Sequence, residues 1–391
     1  MSAAEIQSSL ALASIFALRL FGMFIILPVF ALWAQGRPGW SLQLAGIAMG
    51  AYGLTQGILQ IPYGWLSDRF GRKPMLYAGL VLFVVGSVMC AFGENPWMMI
   101  AGRIVQGTGA ISGVAIAAVA DLTRESQRTK AMAIVGSTIG VVFALSFISA
   151  PFLERAIGVT GIFAMTAVLA GCALAVVRWL VPDAPVSGGV PAAPAFAAVL
   201  RAPELQRLYI GIFALHAVLM AIFVVVPVAL VKAGLPAGEH SWIYLGAVGT
   251  GFLLMIPAIV GRFAARERVV FLTSIVIVAI GLAVLAAGIS SLRAIVTALV
   301  IFFAGFNVLE AKLPALVSRA APRESTGAAT GVYSSVQFLG TFAGAAAGGA
   351  IAQHGGFSAV LVTCFAITAA WLAVAWNMGD FVPAASPASR T

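Results

Sequence analysis

Residues 64–74 read GWLSDRFGRKP, and they stand between two long apolar runs. A connector this short between membrane-length helices must form a tight turn, for which Gly71 has the required backbone freedom. Pro74 suits the first turn of the following helix, because its missing N–H is not needed there. Asp68 lies at the end of the preceding helix, where a carboxylate needs a partner. We therefore expect a charged hairpin that pairs with another element at the membrane surface and acts as a conformational latch.

The composition is that of an integral membrane protein. Of the 391 residues, 61% are hydrophobic and 9% are charged, whereas a soluble domain carries about 25% charged residues. The first apolar run, residues 10–33, is too long for a signal-peptide core and follows no basic cluster, so it is predicted to remain as a helix. The net charge of +9 would suggest nucleic-acid binding in a soluble protein. Here it reflects the distribution of bases among the connectors.

Runs of about 20 apolar residues predict twelve membrane-spanning helices. The predicted spans lie near residues 10–33, 44–66, 75–92, 97–120, 131–153, 159–180, 207–231, 241–261, 269–288, 292–317, 328–352 and 357–377. Of the 22 lysines and arginines, sixteen fall in alternate connectors and the terminal segments, four fall in the other connectors, and Arg19 and Arg103 lie within helices. The positive-inside rule therefore predicts that both termini are cytoplasmic.

The chain is predicted to consist of two similar halves. IFALR at residues 15–19 recurs as IFALH at residues 212–216, and RES at residues 124–126 recurs at residues 323–325. Parallel repeats of this kind place a substrate site at the interface of the halves. The longest connector holds four prolines, which favours an extended linker. The predicted domains are an N-terminal six-helix bundle at 1–181, a cytoplasmic linker at 182–206, a C-terminal six-helix bundle at 207–379 and a cytoplasmic tail at 380–391.

The hairpin resembles the Gly-x-Leu-Ala-Asp-Arg-x-Gly-Arg-Lys signature of the major facilitator superfamily, with Ser67 in the alanine position. The resemblance implies an all-α membrane protein with twelve transmembrane helices in two pseudo-symmetric six-helix bundles, which works by rocker-switch alternating access. It also implies a contact between Asp121 and Arg72. The residues assigned to the latch are Gly64, Asp68, Arg69, Gly71, Arg72, Asp121 and Arg124. The second hairpin, residues 261–268, lacks the aspartate, so the latch is expected mainly in the first half.

Further motifs are similar to the drug/proton antiporter branch of that superfamily. Residues 103–107 (RIVQG) match its Arg-x-x-Gln-Gly motif, which is tied to proton relay, and LRLFGMF at 18–24 and GVYSSVQFLG at 331–340 also match. Some bacterial transporters of this branch carry a C-terminal soluble domain, which this chain is expected to lack. The fifth predicted helix keeps Pro151 but not the glycines of the antiporter motif, and the first helix lacks the acid that many antiporters carry.

Ionisable residues inside the predicted helices are the candidates for proton coupling. Arg19 lies about halfway along the first helix, where a charge is costly, so it should face the interior and find a partner. His216 occupies the equivalent place in the second half. Glu310 is the one acid well inside an apolar helix, and it must pair with a cation or stay protonated. We predict proton coupling by Glu310, His216, Arg19 and Arg103, while a purely structural pairing, including Arg19 with Glu310, stays open.

Neutral polar residues on the same helices are the candidates for a substrate cavity. Several lie one helical turn apart, and so share a helix face with one another or with Glu310. They are Gln56, Gln60, Gln106, Asn307, Tyr333 and Gln337. Amides are also tolerated in helix interfaces, so a packing role is the alternative. The glycine row Gly46, Gly50, Gly53 and Gly57 predicts close packing of the second helix against another helix.

We expect a proton-coupled secondary transporter of a bacterial inner membrane that exports small molecules as a multidrug/proton antiporter. Efflux or symport of a sugar or another small metabolite is the alternative. The sequence holds no nucleotide-binding loop and no Ser–His–Asp constellation, so an enzyme is not expected. Cys90, Cys172 and Cys364 lack metal-ligand spacing, so no metal is expected. We expect protons as the coupling ion without a cofactor, no nucleic-acid partner, and a monomer in the lipid bilayer.

Overall fold

The structure is a computed structural model that describes residues 1–183, 193–260, 266–322 and 325–379, where all regular structure is helical. The α-helices are α1 (Ala3–Phe24), α2 (Phe30–Gln35), α3 (Leu42–Phe70), α4 (Arg72–Ala91), α5 (Pro96–Thr108), α6 (Ser112–Asp121), α7 (Arg128–Leu180), α8 (Ala193–Arg201), α9 (Pro203–Lys232), α10 (His240–Val260), α11 (Glu267–Ala287), α12 (Leu292–Ala320) and α13 (Thr326–Trp376). The predicted all-α fold is confirmed.

Ten stretches in the described part of the chain are long and apolar enough to cross a membrane. Two of them belong to double-length helices, because α7 has 53 residues and α13 has 51. Each contains one glycine with a positive φ, 68° at Gly158 and 78° at Gly356, which no L side chain adopts easily. The chain reverses there without losing its helix on either side. These ten stretches therefore account for the twelve predicted spans.

The first predicted span is wrong in its start and in its continuity. It begins at Ala3 and not at residue 10, because Ser2 and Glu5 form a capping box that starts a helix. It also stops at Phe24, and α2 begins only after Pro28, which cannot donate the backbone hydrogen bond that a continuous helix needs.

The linker at 182–206 was expected to be extended, and this is wrong for its described part. Residues 193–201 form α8, an alanine-rich helix that buries Val199 completely. Residues 184–192 of the linker, residues 261–265 of the second hairpin and residues 380–391 of the tail lie outside the described residues. The domain division and the orientation of the termini stay predictions.

Helices α3 and α13 join the two halves by direct contact of their backbones. A Cβ atom added to Gly46 would lie 2.1 Å from the carbonyl oxygen of Ala345. One added to Gly57, three turns further along α3, would lie 2.9 Å from the carbonyl oxygen of Ser335. Only glycine fits at such distances, so the predicted close packing of this row is confirmed.

Helix α13 makes a second contact of the same kind with α9 on another of its faces. A Cβ atom added to Gly344 would lie 2.0 Å from the carbonyl oxygen of Ala217, and one added to Gly340 would lie 2.5 Å from that of Phe213. The first half of α13 is therefore held between α3 of the N-terminal half and α9 of its own half.

An aromatic cluster joins the halves at a second place, between α7 and three helices of the C-terminal half. Phe147 packs edge-on against Phe223 of α9, with ring centroids 4.8 Å apart, and against Tyr244 of α10 at 6.0 Å. Phe143 stacks on Phe306 of α12 at 6.1 Å. Such contacts add specific geometry to the burial of apolar area.

The two ends of the α3–α13 contact differ. At one end the backbone N–H of Leu42 donates to Oε1 of Gln353 at 3.1 Å, beside a vestibule of about 620 Å³ that includes Lys232. Towards the other end, a Cβ atom added to Gly64 would meet none of the described atoms within 4 Å. We call the end with Gly71 the latch end and the end with Gln353 the far end. The close glycine contacts between α3 and α13 extend from Gly46, near the far end, to Gly57.

Candidate functional site

Arg19 is the centre of a buried polar group in the N-terminal half, which we call the arginine cluster: Arg19, Gln56, Gln60 and Ser112. Arg19 on α1 donates from Nη1 to Oγ of Ser112 on α6 at 2.8 Å, and from Nη2 to Oε1 of Gln56 on α3. Nε2 of Gln56 donates in turn to Ser112 and to Oε1 of Gln60, each at 3.2 Å. All four residues are at most 5% exposed. The cluster therefore links three helices.

The charge of Arg19 is not balanced by a carboxylate within the cluster. Its hydrogen-bond partners are an amide and a hydroxyl, and its Nε has no hydrogen-bond partner among the described residues. The rings of Tyr52 and Phe83 lie 5.8 Å from the guanidinium carbon and add a cation–π contribution. The structure does not contain the ion pair of Arg19 with Glu310 that sequence reasoning left open.

Arg103 is a second buried arginine in the same half, but it is bonded differently. It donates to the backbone carbonyls of Ala48 and Met49 at 3.3 Å and to Oε1 of Gln106 at 2.6 Å. Nε2 of Gln106 donates to Oγ of Ser87 on α4 at 2.8 Å. Arg103 thus braces α3 against α5, and Gln106 belongs to this brace. Cavity lining by Gln106 stays a prediction.

The C-terminal half contains the histidine cluster, which consists of His216, Glu310 and Gln337. Nε2 of Gln337 on α13 lies 2.9 Å from Nε2 of His216 on α9 and 3.3 Å from Oε1 of Glu310 on α12. Nε2 of His216 is 3.8 Å from Oε2 of Glu310. The amide of Gln337 thus bridges the imidazole of His216 and the carboxylate of Glu310, and the role of Nε2 of His216 in this contact depends on the imidazole tautomer. The structure brings together the two residues predicted to titrate.

Several polar atoms around the histidine cluster are buried without a hydrogen bond among the described residues. They are Nδ2 of Asn307, the hydroxyl of Tyr333, Oγ of Ser335 and Oε2 of Glu310. Buried polar atoms in proteins nearly always have a partner, which is often an ordered water or a ligand. The side chain of Glu310 is also 32% exposed, so this region is accessible. These unbonded polar atoms could therefore bind a polar ligand. Two of them belong to Asn307 and Tyr333, which were predicted to line the cavity.

The two clusters lie at the same level of the α3–α13 contact. A Cβ atom added to Gly53 would lie 2.7 Å from the carbonyl oxygen of Phe338, and the Gly57–Ser335 approach follows one turn later. Gln56 of the arginine cluster lies between these two glycines, and Gln337 of the histidine cluster lies next to Phe338. The two glutamines therefore lie at a similar level of the α3–α13 contact, each bonded within its own half.

The predicted contact between Arg72 and Asp121 is present at the latch end. Nε of Arg72 lies 2.8 Å from Oδ2 of Asp121, and Nη1 lies 2.5 Å from Oδ1 of Asp68 and 2.6 Å from Oγ of Ser67. Gly71 separates α3 from α4 with a φ of 94°. The hairpin thus ties the ends of α3, α4 and α6 together, and the predicted turn is confirmed.

Three other residues assigned to the latch lie outside this network. Arg69 lies over the ring of Trp65, with its guanidinium carbon 5.8 Å from the centroid. Gly64 faces open space. Arg124 pairs with Glu5 of α1, with Nε 2.8 Å from Oε1, and this carboxylate raises the pKa of Arg124 above its ordinary value. Arg124 therefore ties the N-terminus of α1 to the end of α6.

The C-terminal half has an ion pair that sequence reasoning missed. Nη2 of Arg319, at the end of α12, lies 2.8 Å from Oε1 of Glu267, at the start of α11. This pair corresponds to Arg72 with Asp121, but the acid and the base have exchanged places. The repeat contains the signal, because Glu267 follows Arg72 by 195 residues, the same spacing that separates the two Ile-Pro pairs at 61–62 and 256–257.

Within the described residues, no group of three His, Cys, Asp or Glu side chains could hold a metal ion. Cys90 and Cys364 are buried free thiols, and Cys172 is an exposed one. The side chains gathered at the interface of the halves can exchange protons and hydrogen bonds, and they include no nucleophile with an adjacent base.

Comparison with known proteins gives a consistent result. Residues 12–345 match the sequence profile of the Major Facilitator Superfamily. The inner membrane transport protein YajR of Escherichia coli is 38% identical over 97% of this chain and 85% of that protein. The multidrug resistance protein MdtH of Aeromonas hydrophila is 24% identical over 86% of this chain and 85% of that protein. The predicted resemblance is confirmed.

Solved structures support the same fold. The crystal structure of a D-xylose–proton symporter matches with a TM-score of 0.74, over 96% of this chain and 98% of that one. At 18% sequence identity this similarity shows the fold alone.

Proposed function

The chain belongs to the Major Facilitator Superfamily, and on that premise we propose that it couples a proton gradient to the export of small molecules. As a member of that family it is a multi-pass membrane transporter that binds small-molecule substrates within the membrane, and it is not an enzyme. The finer statement, proton-coupled multidrug antiport across a bacterial inner membrane, is the proposal. The E. coli relative, which is named as an inner membrane protein, and the relative named for multidrug resistance support it.

The observation that carries the proposal is the histidine cluster. Glu310 and His216 are the titratable side chains described at the interface of the halves, and Gln337 bonds to both. A proton on Glu310 removes its negative charge and turns one carboxylate oxygen into a donor, so the bonds to Gln337 must rearrange. Because α9, α12 and α13 each contribute one member, this rearrangement changes how three helices are held together.

In the proposed cycle, that change is coupled to rocking of the two halves. One access state has the halves in contact at the far end, as in this structure. The other requires α3 and α13 to separate there and the latch end to close. The ion pairs of Arg72 with Asp68 and Asp121 keep the end of the N-terminal half rigid during this motion. We expect Arg19 and Arg103 to act through substrate binding and bracing, because neither changes its protonation in the physiological range.

One observation favours a second candidate function, which is proton symport of a small metabolite. The arginine cluster presents a cation without a carboxylate, so an anionic substrate would be drawn to the interface. A negative charge near Glu310 favours the protonated carboxyl, so such a substrate and a proton would bind together. The direction of the proton flux relative to the substrate flux separates symport from antiport.

The test is a pH-gradient assay in proteoliposomes with a mixed panel of drugs and metabolites. We expect at least one compound to dissipate the gradient in the wild type, and Glu310→Gln to reduce this by at least about tenfold, because an amide cannot carry the proton. Glu239→Gln is the matched control, since Glu239 is an exposed acid of the same half. If Glu310→Gln and the wild type respond alike, Glu310 is not the proton carrier.

A further inference from the structure

We propose that the substrate carries a carboxylate and that Arg19, Gln56 and Ser112 bind it. This inference rests on the proposed transport function and deepens it, because it names a class of substrate and the half of the protein that holds its charged end. It concerns the binding group and applies to antiport and to symport.

The first step is the unbalanced charge of Arg19. The side chain is 3% exposed, yet both of its bonded nitrogens donate to neutral groups and Nε has no partner among the described residues. The largely buried Arg72, by contrast, pairs with two acids, Asp68 and Asp121. A buried cation without a counter-charge is costly, and an anionic ligand would remove that cost.

The second step is that the partners of Arg19 can be exchanged. Gln56 accepts from Arg19 through Oε1, but its Nε2 already donates to Gln60 and Ser112. If a carboxylate took the place of Oε1, then the guanidinium, the Gln56 amide and the Ser112 hydroxyl could all donate to it. A planar guanidinium with two free N–H groups matches a carboxylate in a bidentate arrangement. The arginine cluster therefore offers several hydrogen-bond donors to an anion, and it contains no carboxylate to accept from them.

The contrast with Arg103 shows which of the two buried arginines is available. Arg103 donates to two backbone carbonyls, and those oxygens cannot move without moving α3. Its third bond goes to Gln106, which is tied to Ser87. A ligand could displace these partners only by breaking the contact between α3 and α5. Arg103 is a brace, whereas Arg19 is bonded by side chains alone.

The third step fixes the orientation of the substrate. The histidine cluster contributes Glu310, so an anionic group would be repelled from the C-terminal half unless Glu310 is protonated. The unbonded donors there, Nδ2 of Asn307 and the hydroxyls of Tyr333 and Ser335, suit a neutral polar group. An anionic group is therefore favoured at Arg19 over the histidine cluster, and the donors of α12 and α13 suit a neutral polar portion of the substrate.

The test uses pairs of compounds of equal size that differ in charge: benzoate with benzamide, and hexanoate with hexanamide. Phenylphosphonate is added to separate carboxylate from phosphate recognition. Affinities for the full-length protein in lipid nanodiscs are measured at constant pH and ionic strength. We expect at least one carboxylate to bind the wild type about tenfold more tightly than its amide, and Arg19→Gln to abolish that preference. Arg293→Gln, the same change at an exposed arginine, leaves the preference intact.

Arg19→Lys is the second variant, in case Arg19→Gln does not fold. It keeps the charge but loses the bidentate geometry, so we expect weaker carboxylate binding with the preference for the anion retained. The proposal is overturned if the wild type binds no acid of the set, if it binds acid and amide equally, if phenylphosphonate alone is preferred, or if Arg19→Gln keeps the preference for the acid.

The outcome can be separated from a failure of the proposed function. If Glu310→Gln leaves the proton flux unchanged while Arg19→Gln abolishes the preference for the acid, the coupling proposal fails and the substrate proposal holds. If Glu310→Gln stops the flux while the wild type prefers amides, the coupling proposal holds and the substrate proposal fails.

Discussion

The arginine cluster and the histidine cluster contain equivalent positions of the two halves, yet they are built from different ionisable groups. Arg19 and His216 end the repeated segments IFALR and IFALH, and each is bonded to a glutamine of the helix that lines the interface. A guanidinium stays charged, whereas an imidazole and a carboxylate titrate. The repeated positions are therefore equivalent, but their side chains differ: Arg19 is a guanidinium, whereas His216 is an imidazole beside the carboxylate of Glu310.

The ion pairs at the latch end also differ between the halves, because the acid and the base have exchanged places. In the N-terminal half the base begins the helix and the acid ends its neighbour, and in the C-terminal half Glu267 begins α11 and Arg319 ends α12. The ion pair serves both halves, but the surroundings differ. The Arg72 side chain is 12% exposed and has three partners, whereas that of Arg319 is 45% exposed.

The largest effect on transport is expected from His216→Arg, which gives the histidine cluster the same residue that the arginine cluster has at the equivalent position. The new guanidinium would lie beside Glu310 and form an ion pair that persists across the working pH range, because a guanidinium stays charged. We expect proton-coupled transport to fall by at least about 100-fold in the pH-gradient assay. His354→Arg, at an exposed position of α13, is the control. Retention of more than a tenth of wild-type transport would show that the histidine cluster need not titrate.

A smaller effect on stability is expected when the glutamine of each cluster is replaced. Gln56→Leu removes one of the two hydrogen-bond acceptors of the charged Arg19 and leaves Ser112, so the free energy of unfolding should fall by about 1–3 kcal/mol. Gln337→Leu should cost less, because His216 can stay neutral and Glu310 can take a proton. Reversible unfolding of the two purified variants measures the difference. Equal losses would mean that the fixed charge of Arg19 is compensated elsewhere.

The smallest effect concerns the two latch pairs. Arg72→Gln should lower the free energy of unfolding by about 1–2 kcal/mol, since its partners are shielded by packed helices. Arg319→Gln should cost less than about 1 kcal/mol, because exposed ion pairs contribute little. Thermal unfolding at low and high salt compares them, with a larger salt effect expected for the exposed pair. A larger loss of unfolding free energy for Arg319→Gln than for Arg72→Gln would show that the exposed ion pair contributes more to stability than the shielded one.

The number of spans and the Gly71 turn could be predicted from the sequence, because hydrophobic length and turn chemistry decide them locally, and the Arg72–Asp121 contact could be predicted from the family motif. The glycine row predicted close packing, but it could not say that α13 is the partner, since register between distant helices depends on the whole bundle. The start and the split of the first span were missed, although Ser2 and Glu5 contained a local signal for the start and Pro28 one for the break.

The sequence predicted which residues belong to the candidate site, but it did not predict which of them bond to one another. The titratable pair of His216 with Glu310 was expected as two separate candidates, and the structure joins them through Gln337. Arg19 was expected to face the interior and find a partner, with an ion pair to Glu310 left open, and its partners are neutral groups. A buried charge in a sequence predicts that a partner is present but does not identify it, because amides, hydroxyls and carboxylates all accept a hydrogen bond.

The contact between α3 and α13 has a consequence for the speed of the proposed motion. Backbone meets backbone directly at Gly46 and Ala345, but side chains also cross this surface: Thr341 packs on Gly53, Leu339 packs on Gly57, and the rings of Tyr52 and Phe338 lie 6.4 Å apart. Separation of α3 from α13 therefore has to withdraw these side chains from their contacts as well as part the two backbones. The rate of the proposed motion then depends on this packing as well as on the polar clusters.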